Sequence, residues 1–121
     1  MPKIEVEGFG TYEVPEGARL VRALEESGVD ILHRCGGHAR CTTCRISFQS
    51  GEPARITVAE YEKLKERELL GQFRLACQIP CDHDMALTVG MTLASSGLPD
   101  PGPQPEAQIT PEPQWIEKPT A

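Results

Sequence analysis

The decapeptide CGGHARCTTC, Cys35 to Cys44, holds three of the chain's five cysteines. Thiols at this density constrain the fold more than any helix or strand pattern, because whatever they hold shapes the loop around it. In a reducing compartment structural disulfides are rare, and the odd count argues further against a disulfide framework. Metal binding or redox chemistry is therefore the leading expectation. The remaining cysteines, Cys77 and Cys81, lie far downstream and four residues apart.

Four thiolates can hold a tetrahedral zinc or a [2Fe–2S] cluster. Zinc takes paired knuckles, which Cys41/Cys44 and Cys77/Cys81 could supply, leaving Cys35 idle. That reading describes a zinc-stapled interaction module. A two-iron cluster instead needs a loop that wraps it and turns backbone N–H groups toward the sulfurs, so side chains must be small. Gly36, Gly37, Ala39, Thr42 and Thr43 meet that need, and glycine tolerates the positive φ that wrapping demands. The zinc reading leaves these small residues unexplained. A thiol–disulfide enzyme is the third reading, since Cys41-Thr42-Thr43-Cys44 is a C-x-x-C. Such motifs open a helix, whereas this one runs into strand-like Arg45–Phe48. A Rieske centre would need two Cys/His pairs, and Cys81-Asp82-His83 offers one.

The surrounding pattern is that of a small α+β domain. Lys3 to Glu7 and Thr11 to Val14 alternate polar and apolar around Gly8 and Gly10, which predicts a β-hairpin. Leu20, Val21, Ala23 and Leu24 share one face of a helix expected over Ala18–Ser27. After the cysteine loop, Arg45–Phe48 reads as a strand. Thr57-Val58-Ala59-Glu60 is a capping box opening a helix to about Leu70. Arg74–Ile79 is a short apolar run, and Met85, Leu87 and Val89 alternate as a last strand. This order suggests a mixed sheet with helices packed on one face.

Residues 1–93 carry all of these elements, and residues 94–121 form a separate tail. Seven of the eleven prolines lie in it: Pro99, Pro101, Pro103, Pro105, Pro111, Pro113 and Pro119. Extended or disordered chain is the main expectation there. Ile109, Trp115 and Ile116 supply the opposing one, that Trp115 docks on the body or on a second copy in a homodimer.

The formal charge of −6 argues against nucleic acid and favours a partner bearing Lys and Arg around its docking site. MPKIEVEGFG lacks a secretory pattern and no apolar segment reaches membrane-spanning length, so a soluble, cytoplasmic protein is expected.

The stretches CGGHARCTTC, RISF, RLACQI and DMALTV resemble the plant- and vertebrate-type [2Fe–2S] ferredoxins over roughly residues 3 to 90. The five-residue gap between Cys35 and Cys41 is similar to the vertebrate and bacterial branch. The resemblance implies a β-grasp fold, one [2Fe–2S] cluster per chain, and ligands at Cys35, Cys41, Cys44 and Cys77. It implies an electron carrier rather than an enzyme, working between a reductase and electron-accepting proteins. Cys81 is then most simply a small core residue. His38, Arg34, Arg40 and Arg45 would raise the cluster potential if their charges face it. Related proteins dock through an acidic second helix. Here Glu60, Glu62, Glu66 and Glu68 are interrupted by Lys63, Lys65 and Arg67, which predicts solvated ion pairs instead. Glu25, Glu26, Asp30, Asp82 and Asp84 are the other candidates for a negative surface.

Overall fold

Alternation of side chains dictates the first element. In β1 (Lys3–Val6), Ile4 and Val6 face inward while Lys3 and Glu5 face water. β1 turns back on β2 (Gly10–Glu13) as an antiparallel hairpin, Lys3 opposite Glu13 and Val6 opposite Gly10. The structure, a computed structural model, describes residues 1–118. Pro119, counted above with the tail prolines, lies outside the described residues.

Helix α1 (Leu20–Glu26) buries Leu20, Val21, Ala23 and Leu24 on one face, as its period predicts. Strands β3 (Arg45–Ser50), β5 (Arg74–Leu75) and β6 (Met85–Val89) complete a five-stranded sheet in the order β2-β1-β6-β3-β5. β6 runs parallel to β1 and antiparallel to β3. The first and last strands of the motif are thus adjacent, the mixed β-grasp arrangement. Ile4, Ile46, Leu75 and Leu87 from four of the strands meet Leu20 and Leu24 in the core.

Helix α2 (Val58–Glu66) is shorter than expected. It ends at Arg67, Glu68 takes a positive φ of 58°, and the chain turns Leu69 and Leu70 onto the core. The Thr57 hydroxyl accepts from the Glu60 amide at 3.1 Å, as a cap should. The reciprocal half of the capping box is not made, because the Glu60 carboxylate is spent elsewhere. It receives Arg74 Nε at 2.8 Å and the Leu75 amide at 2.7 Å.

Glu60 is therefore no part of an acidic face or a solvated pair. It is fully buried, while Glu62, Glu66 and Glu68 are exposed. The other candidate acids are also committed. Glu25 holds His33, Glu26 holds Arg22, and Asp82 holds His83. Asp30 accepts from the Ala94 amide and Asp84 from the Lys3 amide.

Three elements were not legible in the sequence: β4 (Arg55–Thr57), the short helix α3 (Leu93–Ser96) and β7 (Trp115–Glu117). β7 pairs antiparallel with β4, Thr57 opposite Trp115. Trp115 is half-buried, with the Arg55 guanidinium 5.2 Å from its ring centre. Between α3 and β7 the chain has no regular structure, yet it is pinned. The His33 amide donates to the Pro101 carbonyl at 2.9 Å, Arg22 donates to the Pro105 carbonyl at 2.9 Å, and Pro105 is buried.

Candidate functional site

The sheet places the two halves of the cysteine set side by side. Cys44 directly precedes β3, and Cys77 lies in the 3-10 turn Ala76–Gln78 that follows β5. Pairing of Arg45 with Leu75 fixes their register, and the Ala76 amide donates to the Cys44 carbonyl at 3.1 Å. Cys35 and Cys41 come from the loop between α1 and β3. They are half-buried, whereas Cys44 and Cys77 are buried, so the site is open toward the Cys35/Cys41 end.

The four thiols influence one another chiefly two by two, Cys35 with Cys41 and Cys44 with Cys77. The neighbouring Cys41 thiol, then the backbone at Arg40, His38 and Cys41, bring the Cys35 pKa down to about 4 against the effect of burial. Cys41 is pushed up as the proton-holding partner, and burial adds to this. Cys44 and Cys77 repeat the arrangement. Cys44 is raised by Cys77 and by burial, while Cys77 is lowered by Cys44, by the Gln78 side chain and by Arg19. The pairs also feel one another, Cys35 acting on Cys77 and Cys41 on Cys44. Sulfurs set two and two suit a centre with two metal ions. Among the described residues, no three His, Cys, Asp or Glu side chains are placed to hold one ion.

Two neutral donors complete this environment. The Thr43 hydroxyl oxygen accepts from the Arg34 amide at 2.9 Å, which leaves its proton for the Cys41 sulfur at 3.1 Å. Gln78 Nε2 lies 3.6 Å from the Cys77 sulfur. A thiolate cradle with inward amides and hydroxyl and amide donors is what an iron–sulfur centre requires. The residues present therefore fit the group that the sequence implies.

Cys81 stands outside this set. It is fully buried, its amide donates to the Ala18 carbonyl at 2.7 Å, and burial with Asp82 pushes its thiol up to about 12. The small residues of the loop have a second explanation beyond room for the sulfurs. Gly36 and Gly37 have φ of 72° and 87°, but a Cβ on Gly37 would meet Arg19 Nη2 at 2.7 Å and Pro105 at 3.0 Å. The tail and Arg19, not only the site's interior, require glycine there.

The positive residues around the loop divide by environment. His38 and Arg40 are exposed. Arg34 is exposed and bound to Asp100 at 3.1 Å. Arg45 is tied down, donating to the Thr42 carbonyl at 2.9 Å and lying 5.4 Å from the Phe73 ring centre. Sequence reasoning missed Arg19, Gln78 and His33. Each is buried beside the loop, and a buried charge or amide leaves no periodic signal.

A family profile described as a 2Fe-2S iron-sulfur cluster binding domain matches residues 4–82. One component protein of the Na(+)-translocating NADH-quinone reductase of Neisseria meningitidis serogroup C is 34% identical over 86 residues, 71% of this chain and 21% of that protein. The equivalent component in Chlamydia felis is 34% identical over 89 residues, 72% of this chain and 20% of that protein. The chain thus spans about a fifth of the length of the curated relatives it matches. Among solved structures, the ISC-like [2Fe-2S] ferredoxin of Pseudomonas putida superposes with a TM-score of 0.61 at 26% identity, covering 74% of this chain and 92% of that one. The domain match, the β-grasp sheet and the paired sulfurs agree: this chain belongs to the 2Fe-2S iron-sulfur cluster binding domain family, whose chemistry is electron transfer.

Proposed function

We propose that the chain is a one-electron carrier of the vertebrate and bacterial branch, in which Cys35, Cys41, Cys44 and Cys77 hold a [2Fe–2S] cluster. The observation that supports this reading is the register of β3 and β5, which sets the turn of Cys77 beside Cys44 at the end of the loop carrying Cys35 and Cys41. Cys81 is instead buried against Ala18. Cys35 and Cys41 from the loop, with Cys44 and Cys77 beside the sheet, would hold the cluster's two irons. When bound, such a cluster stores a single electron and returns it without proton transfer. The chain's own residues hold the thiolates, donate hydrogen bonds to them and leave one end of the site open.

Electrons enter and leave at the Cys35/Cys41 end, where the sulfurs come closest to solvent and His38 and Arg40 are exposed. Donor and acceptor are redox proteins, a reductase and an electron-accepting enzyme. The relatives support this, being named as components of a reductase or as a ferredoxin. Among the described residues no helix is long and apolar enough to cross a membrane. Pairing of two copies through the tail would compete with the seating of Trp115 against β4 in the same chain.

Protein purified without air should be red-brown, carry two irons and two sulfides per chain, and give an EPR signal on reduction. Serine at Cys35, Cys41, Cys44 or Cys77 should each reduce cluster content severalfold, and Cys81→Ala should leave it unchanged. A colourless protein loaded with zinc would establish the interaction-module reading instead.

A further inference from the structure

Arg19 precedes α1, and its side chain is only 2% exposed. Its donors go to neutral acceptors. Nε donates to the Cys77 carbonyl at 2.7 Å, and Nη1 to the Glu106 and Gln108 carbonyls at 2.9 and 3.1 Å. Nη2 donates to the Gly37 carbonyl, with the Thr110 carbonyl and hydroxyl at 3.4 Å. Among the described residues no carboxylate lies within ion-pair distance of it. Arg74 is buried to the same degree and has Glu60 as its anion.

A guanidinium stays ionised in a protein, and a buried charge needs a counter-charge. Carbonyl dipoles solvate it but do not neutralise it. Burial disfavours the ionised form of Arg19 and lowers its pKa, and the neighbouring cysteines, Cys77 first, oppose that effect. Arg19 grips the backbone at two points of the cysteine cradle, the Gly37 and Cys77 carbonyls, so its charge is buried against that cradle.

We propose that Arg19 is the internal counter-charge of the cluster site, a tuning residue that raises the midpoint potential by favouring the more negative, reduced state. The inference rests on the cluster reading above. The electron comes from an external one-electron donor, and no proton or leaving group is involved. With one negative charge added on reduction, a fixed cation nearby favours the reduced form. A residue that only clamps the tail would hold Glu106, Gln108 and Thr110 without changing that balance.

The test is redox titration of the air-free, cluster-loaded full chain with Arg19→Gln and Arg19→Lys, after iron and sulfide assay. Wild-type protein without iron and sulfide would defeat the cluster reading itself, before Arg19 is at issue. With the cluster present, Arg19→Gln should lower the reduced-to-oxidised ratio at fixed applied potential about tenfold, which is about 59 mV for a one-electron couple. Arg19→Lys, which keeps the charge, should stay within about threefold of wild type. A glutamine ratio within twofold of wild type, or a lysine ratio as low as that of glutamine, overturns the proposal. If the glutamine variant fails to load its cluster, the lysine variant decides. Loading with a near-wild-type ratio supports the counter-charge, and failure to load or a tenfold drop overturns it.

Discussion

Glu60 shows how a local pattern can be read correctly and still be incomplete at the scale of a residue. Thr57-x-x-Glu60 marks the start of α2, and the Thr57 cap is made. The carboxylate is diverted to Arg74, fourteen positions away, through two contacts of 2.8 and 3.3 Å. Burial lifts the Glu60 pKa, and Arg74 with the Leu75 amide opposes the rise. Removing one partner of such a pair leaves the other buried without a counter-charge, at a cost of about 3 kcal/mol. Glu60→Gln should accordingly lower stability by about 3 kcal/mol in urea denaturation of the loaded protein. A loss under about 1 kcal/mol would show the pair to be solvated, as an exposed pair would be. Arg19 is legible to the same limited extent. Its type is visible in the sequence, but its acceptors are backbone carbonyls, which every residue possesses and no residue type marks.

At the scale of elements, β1, β2, β3 and β6 follow from two-residue alternation and α1 from its apolar face. β4 and β7 do not. Each has three residues, too few for a period to show, and each exists because the other supplies its hydrogen bonds. The Lys118 amide extends the ladder to the Ala54 carbonyl at 2.8 Å, and the Val58 amide reaches the Gln114 carbonyl at 2.9 Å. Trp115 under Arg55 adds roughly 0.5–1 kcal/mol of cation–π attraction at such a half-exposed site. Its fluorescence should be blue-shifted from that of a peptide spanning residues 110–118, and Trp115→Ala should remove amide protection at Ile116 and Lys118. An emission maximum equal to the peptide's would mean that β7 does not form.

Over the whole molecule, the stretch between α3 and β7 follows the outside of the cysteine loop, held by Arg19, Arg22 and Gln78 through carbonyls of residues 105–110. Arg22→Gln removes one of these holds without touching a cysteine. Amide exchange at His33, whose N–H donates to the Pro101 carbonyl of this segment, should quicken by about tenfold, the factor for roughly 1.4 kcal/mol, close to the low end for one charge-assisted hydrogen bond. The visible spectrum of the loaded protein should not change. Unaltered exchange would mean that the segment is held elsewhere. Proline content predicts an extended course for this segment because proline forbids helix and central strand. It carries no information on where an extended chain runs, since that depends on distant donors.

The cysteine spacing, the small residues between the thiols and the alternating strands that carry them can all be read along the chain. These are local properties, set by residue size and backbone period. The position of Cys77 beside Cys44 is a tertiary matter, because the register between β3 and β5 sets it. The same holds for a buried cation behind the loop and for a tail against it, since both rest on contacts between residues far apart in the chain.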